Sequence, residues 1–175
     1  MNLFEQGIYL FMEPITSDNV RPILEWILLE NMRPEKDKKK KLTLIMESDG
    51  GELSATWCVI DAMRGSNIPI HTIGIGTIAS GAFMIFITGD HRVLTPNTSV
   101  LSHQYSNGDT SMKQHELLAV AKEYNLLNER MVAHYKRCTS LSIKKIKELL
   151  LPPHDIWLSA DEALKLGVCD EVKEL

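Results

Sequence analysis

Paired cysteines are missing from this chain. Cys58, Cys138 and Cys169 are odd in number, far apart and in no CxxC arrangement. That argues against a disulfide framework and against a thiolate metal site, and it fits a reducing compartment. A basic excess is missing too. With a formal net charge of −4 and a pI near 5.9, nothing draws the chain over long range to phosphate backbones or anionic lipid, so neither nucleic acid nor membrane is an expected partner. The basic run 38–41 is a local exception and reads as a solvated loop before an apolar segment. No stretch approaches the ~18 apolar residues of a membrane span. The N-terminus has no basic segment leading to an apolar core and a small-residue cleavage site. The expectation is a soluble, cytoplasmic protein without metal or cofactor.

What is present suffices for one substantial core. The chain has 175 residues, 44% of them hydrophobic, with no composition shift, internal repeat or low-complexity tract, so a single domain over 1–175 is expected. A short apolar run at 8–12 is followed by the capping residues Ser17, Asp18 and Asn19. Val20, Ile23, Leu24, Ile27 and Leu28 then recur at helical spacing, with Pro22 read as lying in the first turn. Strand 42–46, a Gly-Gly turn and helix 53–63 come next, then strand 68–75, a turn at Gly76 and a nearly all-apolar helix 79–87. Strands separated by single helices imply parallel βαβ units with right-handed crossovers.

Short strands at 92–94 and 99–103 precede a turn at 107–109. Ser111 and Gln114 then match a capping box at the head of a long helix, 112–138. At ~1.5 Å per residue that helix would run about 40 Å, so part of its apolar stripe is expected to meet another subunit. A helix at 142–151 stops at Pro152-Pro153. A last short helix ends at Gly167, before a closing strand at 168–172.

Two glycine-containing turns follow the two clearest parallel strands, and open α/β sheets bind ligands at the carboxyl ends of their strands. Gly51 has no side chain to block its N–H from a developing oxyanion. Ser80 places a hydroxyl at a helix start, and His103 ends a later strand from which it could take a serine proton. Each has an ordinary structural reading as well: Ser80 as a helix N-terminal residue among small neighbours, His103 as a structural histidine, Gly-Gly as a plain turn.

Three motifs together go further. Ser48-Asp49-Gly50-Gly51, then Gly76-Thr77-Ile78-Ala79-Ser80-Gly81-Ala82-Phe83, then Pro96-Asn97-Thr98-Ser99-Val100-Leu101-Ser102-His103-Gln104 resemble the ClpP (caseinolytic) serine peptidase family of the ClpP/crotonase superfamily. The C-terminal stretch from Trp157 to Ala163 and from Gly167 to Val172 is similar to that family's signature, so the resemblance runs from about Ile8 to the end. It implies an α/β crotonase/ClpP-like fold of repeated ββα units, with 112–138 as a protruding handle helix that interleaves two rings, a heptamer or double heptamer. It also implies Ser80 as nucleophile, His103 as general base, and the N–H groups of Gly51 and Gly81 as oxyanion donors.

Four departures qualify what the resemblance implies. Asp49 stands where the family has proline. The motif after the nucleophile is shortened to Ser80-Gly81-Ala82, a form closer to signal peptide peptidases of the superfamily. Counting back from Leu158-Ser159-Ala160 sets Leu151 at the place of the family's triad aspartate, with Asp155 the nearest carboxylate able to serve. Lastly, the chain begins almost at its first core strand, whereas family members carry an N-terminal segment that forms axial pore loops, so ATP-independent action or weak coupling to an unfoldase is expected. Three readings remain open: a serine endopeptidase cleaving peptides or unfolded protein through a Ser80 acyl-enzyme, a weak or inactive subunit in a mixed ring with another ClpP-like chain, and acyl-CoA chemistry on the same fold.

Overall fold

The computed structural model describes residues 2–105 and 114–175, with side chains described from 120 onward in the second stretch. The turn expected at 107–109, the Ser111 cap and Met112 of the expected long helix lie outside the described residues. The chain divides into two compact units, residues 1–101 with 157–175, and residues 102–156.

The first unit is built on a parallel sheet. Strands β1 (Ile8–Phe11), β2 (Leu42–Ser48), β3 (Ile70–Ala79), β4 (His91–Leu94) and β7 (Glu171–Val172) lie side by side in that order, each pair parallel. The far end of β3 pairs instead with β5 (Ser99–Ser102), Thr77 to Ala79 beside Ser99 to Leu101. In turn β5 pairs with β6 (Ile156–Ser159). Leu42, Leu44, Met46 and Ser48 alternate into the core along β2, as the period of two requires.

Helices α1 (Ser17–Met32), α2 (Leu53–Gly65) and α3 (Gly81–Phe86) follow β1, β2 and β3, and α3 packs against β2, β3 and α2. Every residue of α3 is buried, Phe83 and Phe86 completely. At about 1.5–3 kcal/mol for each large apolar side chain removed from water, this short helix is held by burial rather than by its own hydrogen bonds.

Several boundaries differ from the sequence expectation. Thr16, not the 17–19 triplet, caps α1, its Oγ1 accepting from the Asn19 N–H at 3.2 Å. Pro22 therefore lies in the second turn, on the exposed side where water satisfies the carbonyl it deprives. Gly76 is not a turn but an interior residue of β3 with φ +58, beside a register shift opposite Met46 and Ser48. A bulge uses a left-handed glycine as readily as a turn does. Strand β6 had no counterpart in the sequence reading, because its four residues carry no clean alternation.

The second unit holds α4 (Gln114–Cys138) and α5 (Ile143–Leu149), which pack together. Met131, Tyr135, Leu141, Ile146, Leu150 and Leu151 are buried there. The last helix, α6 (Ala160–Leu166), belongs to the first unit. It starts with a full capping box between Ser159 and Glu162 and ends at left-handed Gly167.

Candidate active site

Neighbouring parallel strands β2 and β3 end at the same edge of the sheet, so the turns that follow them rise together. The turn after β2 is tied down by Ser48. Its buried Oγ donates to the Glu13 carbonyl at 2.7 Å and accepts from the Gly50 N–H at 3.1 Å. Asp49 beside it is exposed, and the turn forms with aspartate in place of proline. Ile15 brackets the next peptide, its N–H donating to the Gly50 carbonyl at 2.8 Å and its carbonyl accepting from the Glu52 N–H at 2.8 Å. Gly51 sits inside this bracket with φ +152, and a Cβ there would lie 2.1 Å from the Ile15 carbonyl oxygen. Only glycine fits.

The turn after β3 is sharper. Ser80 joins strand to helix with φ +56 and ψ −119, the one non-glycine residue with positive φ among the described residues. Such a conformation costs on the order of 1–3 kcal/mol and persists only where its surroundings enforce it. Here the Ser80 N–H donates to the Leu101 carbonyl on β5 at 2.9 Å, while the Ser80 carbonyl receives the Met84 N–H at 3.2 Å. Strained strand-to-helix turns of this kind lift a nucleophile clear of the sheet.

The two turns touch. A Cβ on Gly50 would lie 2.7 Å from the Ala79 carbonyl, 2.8 Å from the Ser80 Cβ and 3.0 Å from the Gly81 nitrogen. Gly81 is constrained in its turn by α2, since a Cβ there would meet Thr56 Oγ1 at 2.4 Å. Among the described residues neither the Gly51 N–H nor the Gly81 N–H has a hydrogen-bond partner. The first unit thus brings together a strained serine and two uncommitted backbone donors, the parts an acyl-transfer site needs.

The second unit carries the remaining sequence candidates. Half-buried His103 directly follows β5, with its Nδ1 2.5 Å from the carbonyl oxygen of Gln104. The Gln104 side chain donates from Nε2 to the Leu151 carbonyl at 2.7 Å. Just before His103, buried Ser102 meets Tyr135 Oη at 3.0 Å and donates to the Leu150 carbonyl at 2.5 Å. Burial pushes the Tyr135 phenol far above its ordinary range, so it stays protonated.

Leu151 is buried and contributes its main chain, not its side chain, to this network. Asp155 is exposed one residue before β6 and, among the described residues, makes no hydrogen bond. A cavity of about 300 Å³ lies beside the network, lined in part by Gln104, Asn128, Lys147 and Leu151.

Sequence reasoning missed three contributors: the approach of Gly50 to Ser80, the Leu101 carbonyl that anchors the Ser80 peptide, and the Gln104 side chain. The residue types beside Ser80 hint at the first, since small neighbours admit a tight turn. Nothing local signals the other two. Among the described residues no group of three or more His, Cys, Asp or Glu side chains is arranged to hold a metal ion, and no helix is long and apolar enough to cross a membrane.

Comparison with known proteins places the chain in a family. At 28% identity over 173 residues the chain is similar to the ATP-dependent Clp protease proteolytic subunit of Deinococcus radiodurans, covering 97% of this chain and 81% of that protein. The proteolytic subunit of Streptococcus mutans is likewise 28% identical, over 98% of this chain and 87% of its own. Among solved structures, a point mutant of ClpP1 from Listeria monocytogenes shares the mixed α/β fold with a TM-score of 0.85 at 23% identity, covering 99% of this chain and 94% of that one. The sequence profile described as Clp protease matches residues 1–175. With that match spanning its whole length, the chain belongs to the Clp protease family.

Proposed function

We propose that the chain is a serine endopeptidase subunit in which Ser80 attacks a peptide carbonyl and His103 takes the hydroxyl proton, then returns it to the leaving amine. The observation that carries this reading is the positive φ of Ser80 between Gly50 and Gly81, because strain of this kind is retained where a side chain must be presented. The open N–H groups of Gly51 and Gly81 are the oxyanion donors. The assignment of His103 draws support from its place in the Pro96 to Gln104 stretch, which resembles the family's motif. Asp155, the first carboxylate after Leu151 in sequence, is the candidate acid. Leu151, whose buried side chain has no group to offer an imidazole, is not.

The acyl-enzyme chemistry consumes no nucleotide, so short peptides are cleaved without ATP. The relatives named ATP-dependent motivate a separate test, degradation of a folded protein with and without an added unfoldase. Both units act as one ClpP-like domain in this reading, and α4 is the handle through which subunits assemble into rings. Sedimentation is expected to give a ring of several subunits, and a stable monomer at micromolar concentration contradicts it. Turnover of a fluorogenic peptide with a burst of acyl-enzyme, lost in His103→Ala, is the expected kinetic result. A correctly assembled protein with no turnover favours instead a structural subunit in a mixed ring, a reading motivated by Leu151 at the place of the family's acid.

A further inference from the structure

We propose that Thr56 is a positioning residue that sets the spacing between the N–H groups of Gly51 and Gly81; this rests on reading those groups as the oxyanion donors of Ser80. The two donors belong to separate turns, and one oxygen can bind both only while the turns keep a fixed distance. Thr56, near the start of α2 and completely buried, reaches towards both. On the first side it holds the residue that directly follows Gly51: its N–H and its Oγ1 both donate to the Glu52 carbonyl, at 3.0 and 2.9 Å. On the second side the same Oγ1 fills the space beside Gly81, 2.4 Å from where a Cβ would stand.

Gly81 has no positive φ, so its backbone does not ask for glycine. The occupied space does. A threonine side chain is stiff about its first torsion, and the bond to Glu52 selects the rotamer that turns the oxygen, not the methyl, towards Gly81. Ile15 completes the wedge. Its carbonyl and N–H bracket Gly51, while its Cδ1 lies 3.4 Å from the same Cβ position on Gly81. Both side chains are fully buried, and a close-packed interior leaves neither room to move aside. A displacement of one donor relative to the other therefore has to displace Thr56 or Ile15 as well.

The test is a double-mutant cycle on Thr56→Ala and Gly81→Ala in the assembled protein, read as kcat per Ser80 labelled to saturation by a fluorophosphonate and as urea midpoint. Thr56→Ala is expected to lower kcat about tenfold with KM within about twofold, since a displaced donor is missed in the transition state and not in the bound substrate. Thr56→Ser, which keeps the hydroxyl, should retain most of kcat. Gly81→Ala should lose roughly 10²-fold, its new methyl driven against Oγ1. In the double variant the nearest Thr56 atom to that methyl is Cβ, at 3.6 Å, an ordinary contact. The double variant should therefore turn over about tenfold faster than Gly81→Ala alone. A merely structural role would move the urea midpoint and the labelled fraction and leave kcat per labelled site unchanged. Full kcat in Thr56→Ala overturns the proposal, and so does a double variant no faster than Gly81→Ala. A wild type that takes no label overturns the peptidase reading and this role with it. The urea cycle needs no turnover, so non-additive midpoints there separate that failure from a failure of the Thr56 to Gly81 contact.

Discussion

The surroundings of Ser80, the proposed nucleophile, and of His103, the proposed base, are built by different means. Around Ser80 the chain is fixed by backbone against backbone: Gly50 on the Ala79 carbonyl, Gly51 within the Ile15 bracket, and the Ser80 N–H on Leu101. Around His103 it is fixed by side chains, Ser102 and Gln104 reaching to the carbonyls of Leu150 and Leu151. The first arrangement tolerates almost no substitution, because a main-chain clash cannot be relieved by rotating a bond. The second can lose one side chain and keep the rest. On the proposed reading the oxyanion donors are therefore rigid by construction, while the base is held more adjustably.

Breaking the nucleophile side should have the largest effects. Ser80→Ala is expected to lower peptide turnover on the order of 10⁵-fold or more with the fold intact, measured alongside thermal unfolding to confirm that α3 still packs. Gly51→Ala should lower kcat by roughly 10²–10³-fold by shifting one oxyanion donor. It should also cost about 3 kcal/mol of stability from its clash with Ile15, read as a loss in denaturant midpoint. Unchanged kcat with reduced stability would leave Gly51 as a structural glycine only.

The base side should yield more gently. With Asp155 exposed and, among the described residues, making no hydrogen bond, Asp155→Asn is expected to lower kcat about 10- to 100-fold, far less than the roughly 10⁴-fold seen where a buried acid holds the imidazole. A loss near 10⁴-fold would show Asp155 holding the imidazole as a triad acid does.

The smallest effect lies away from both turns, where β7 is clamped to β4. Arg92 donates from Nε and Nη2 to the Asp170 carboxylate at 2.9 and 2.5 Å, and these bonds hold that carboxyl below its usual range. A depressed carboxylate stabilises the fold above its unfolded pKa and loses that contribution as pH falls through the lower, folded value. Asp170→Asn should therefore cost about 1 kcal/mol or less near neutral pH, where the pair is partly solvent-screened. That difference should vanish in acid, as followed by urea midpoints across pH.

Much of this was legible in the sequence. The βαβ alternation gave the parallel sheet, because apolar runs bounded by glycine turns have few other solutions. The spacing of Gly51, Ser80 and His103 was visible because their motifs are local. Strand β6 was not, since Ile156 to Ser159 owe their strand to pairing with β5 rather than to their own pattern. Gly76 was read as a turn because a left-handed glycine serves a bulge equally well. The Gln104 to Leu151 bond joins residues 47 positions apart, and no periodicity announces such a contact. The strain at Ser80 was hidden for a similar reason: a serine carries no mark of the φ imposed on it by Leu101 and Gly50.

The central claim is that Ser80 is an activated nucleophile, and one measurement addresses it directly. A fluorophosphonate probe is added to the assembled wild type and to Ser80→Ala, and the labelled peptide is identified by mass. Stoichiometric labelling of the wild type at Ser80 and none in the variant is the predicted result. An assembled wild type that takes up no label, or one labelled equally in both proteins, contradicts the account.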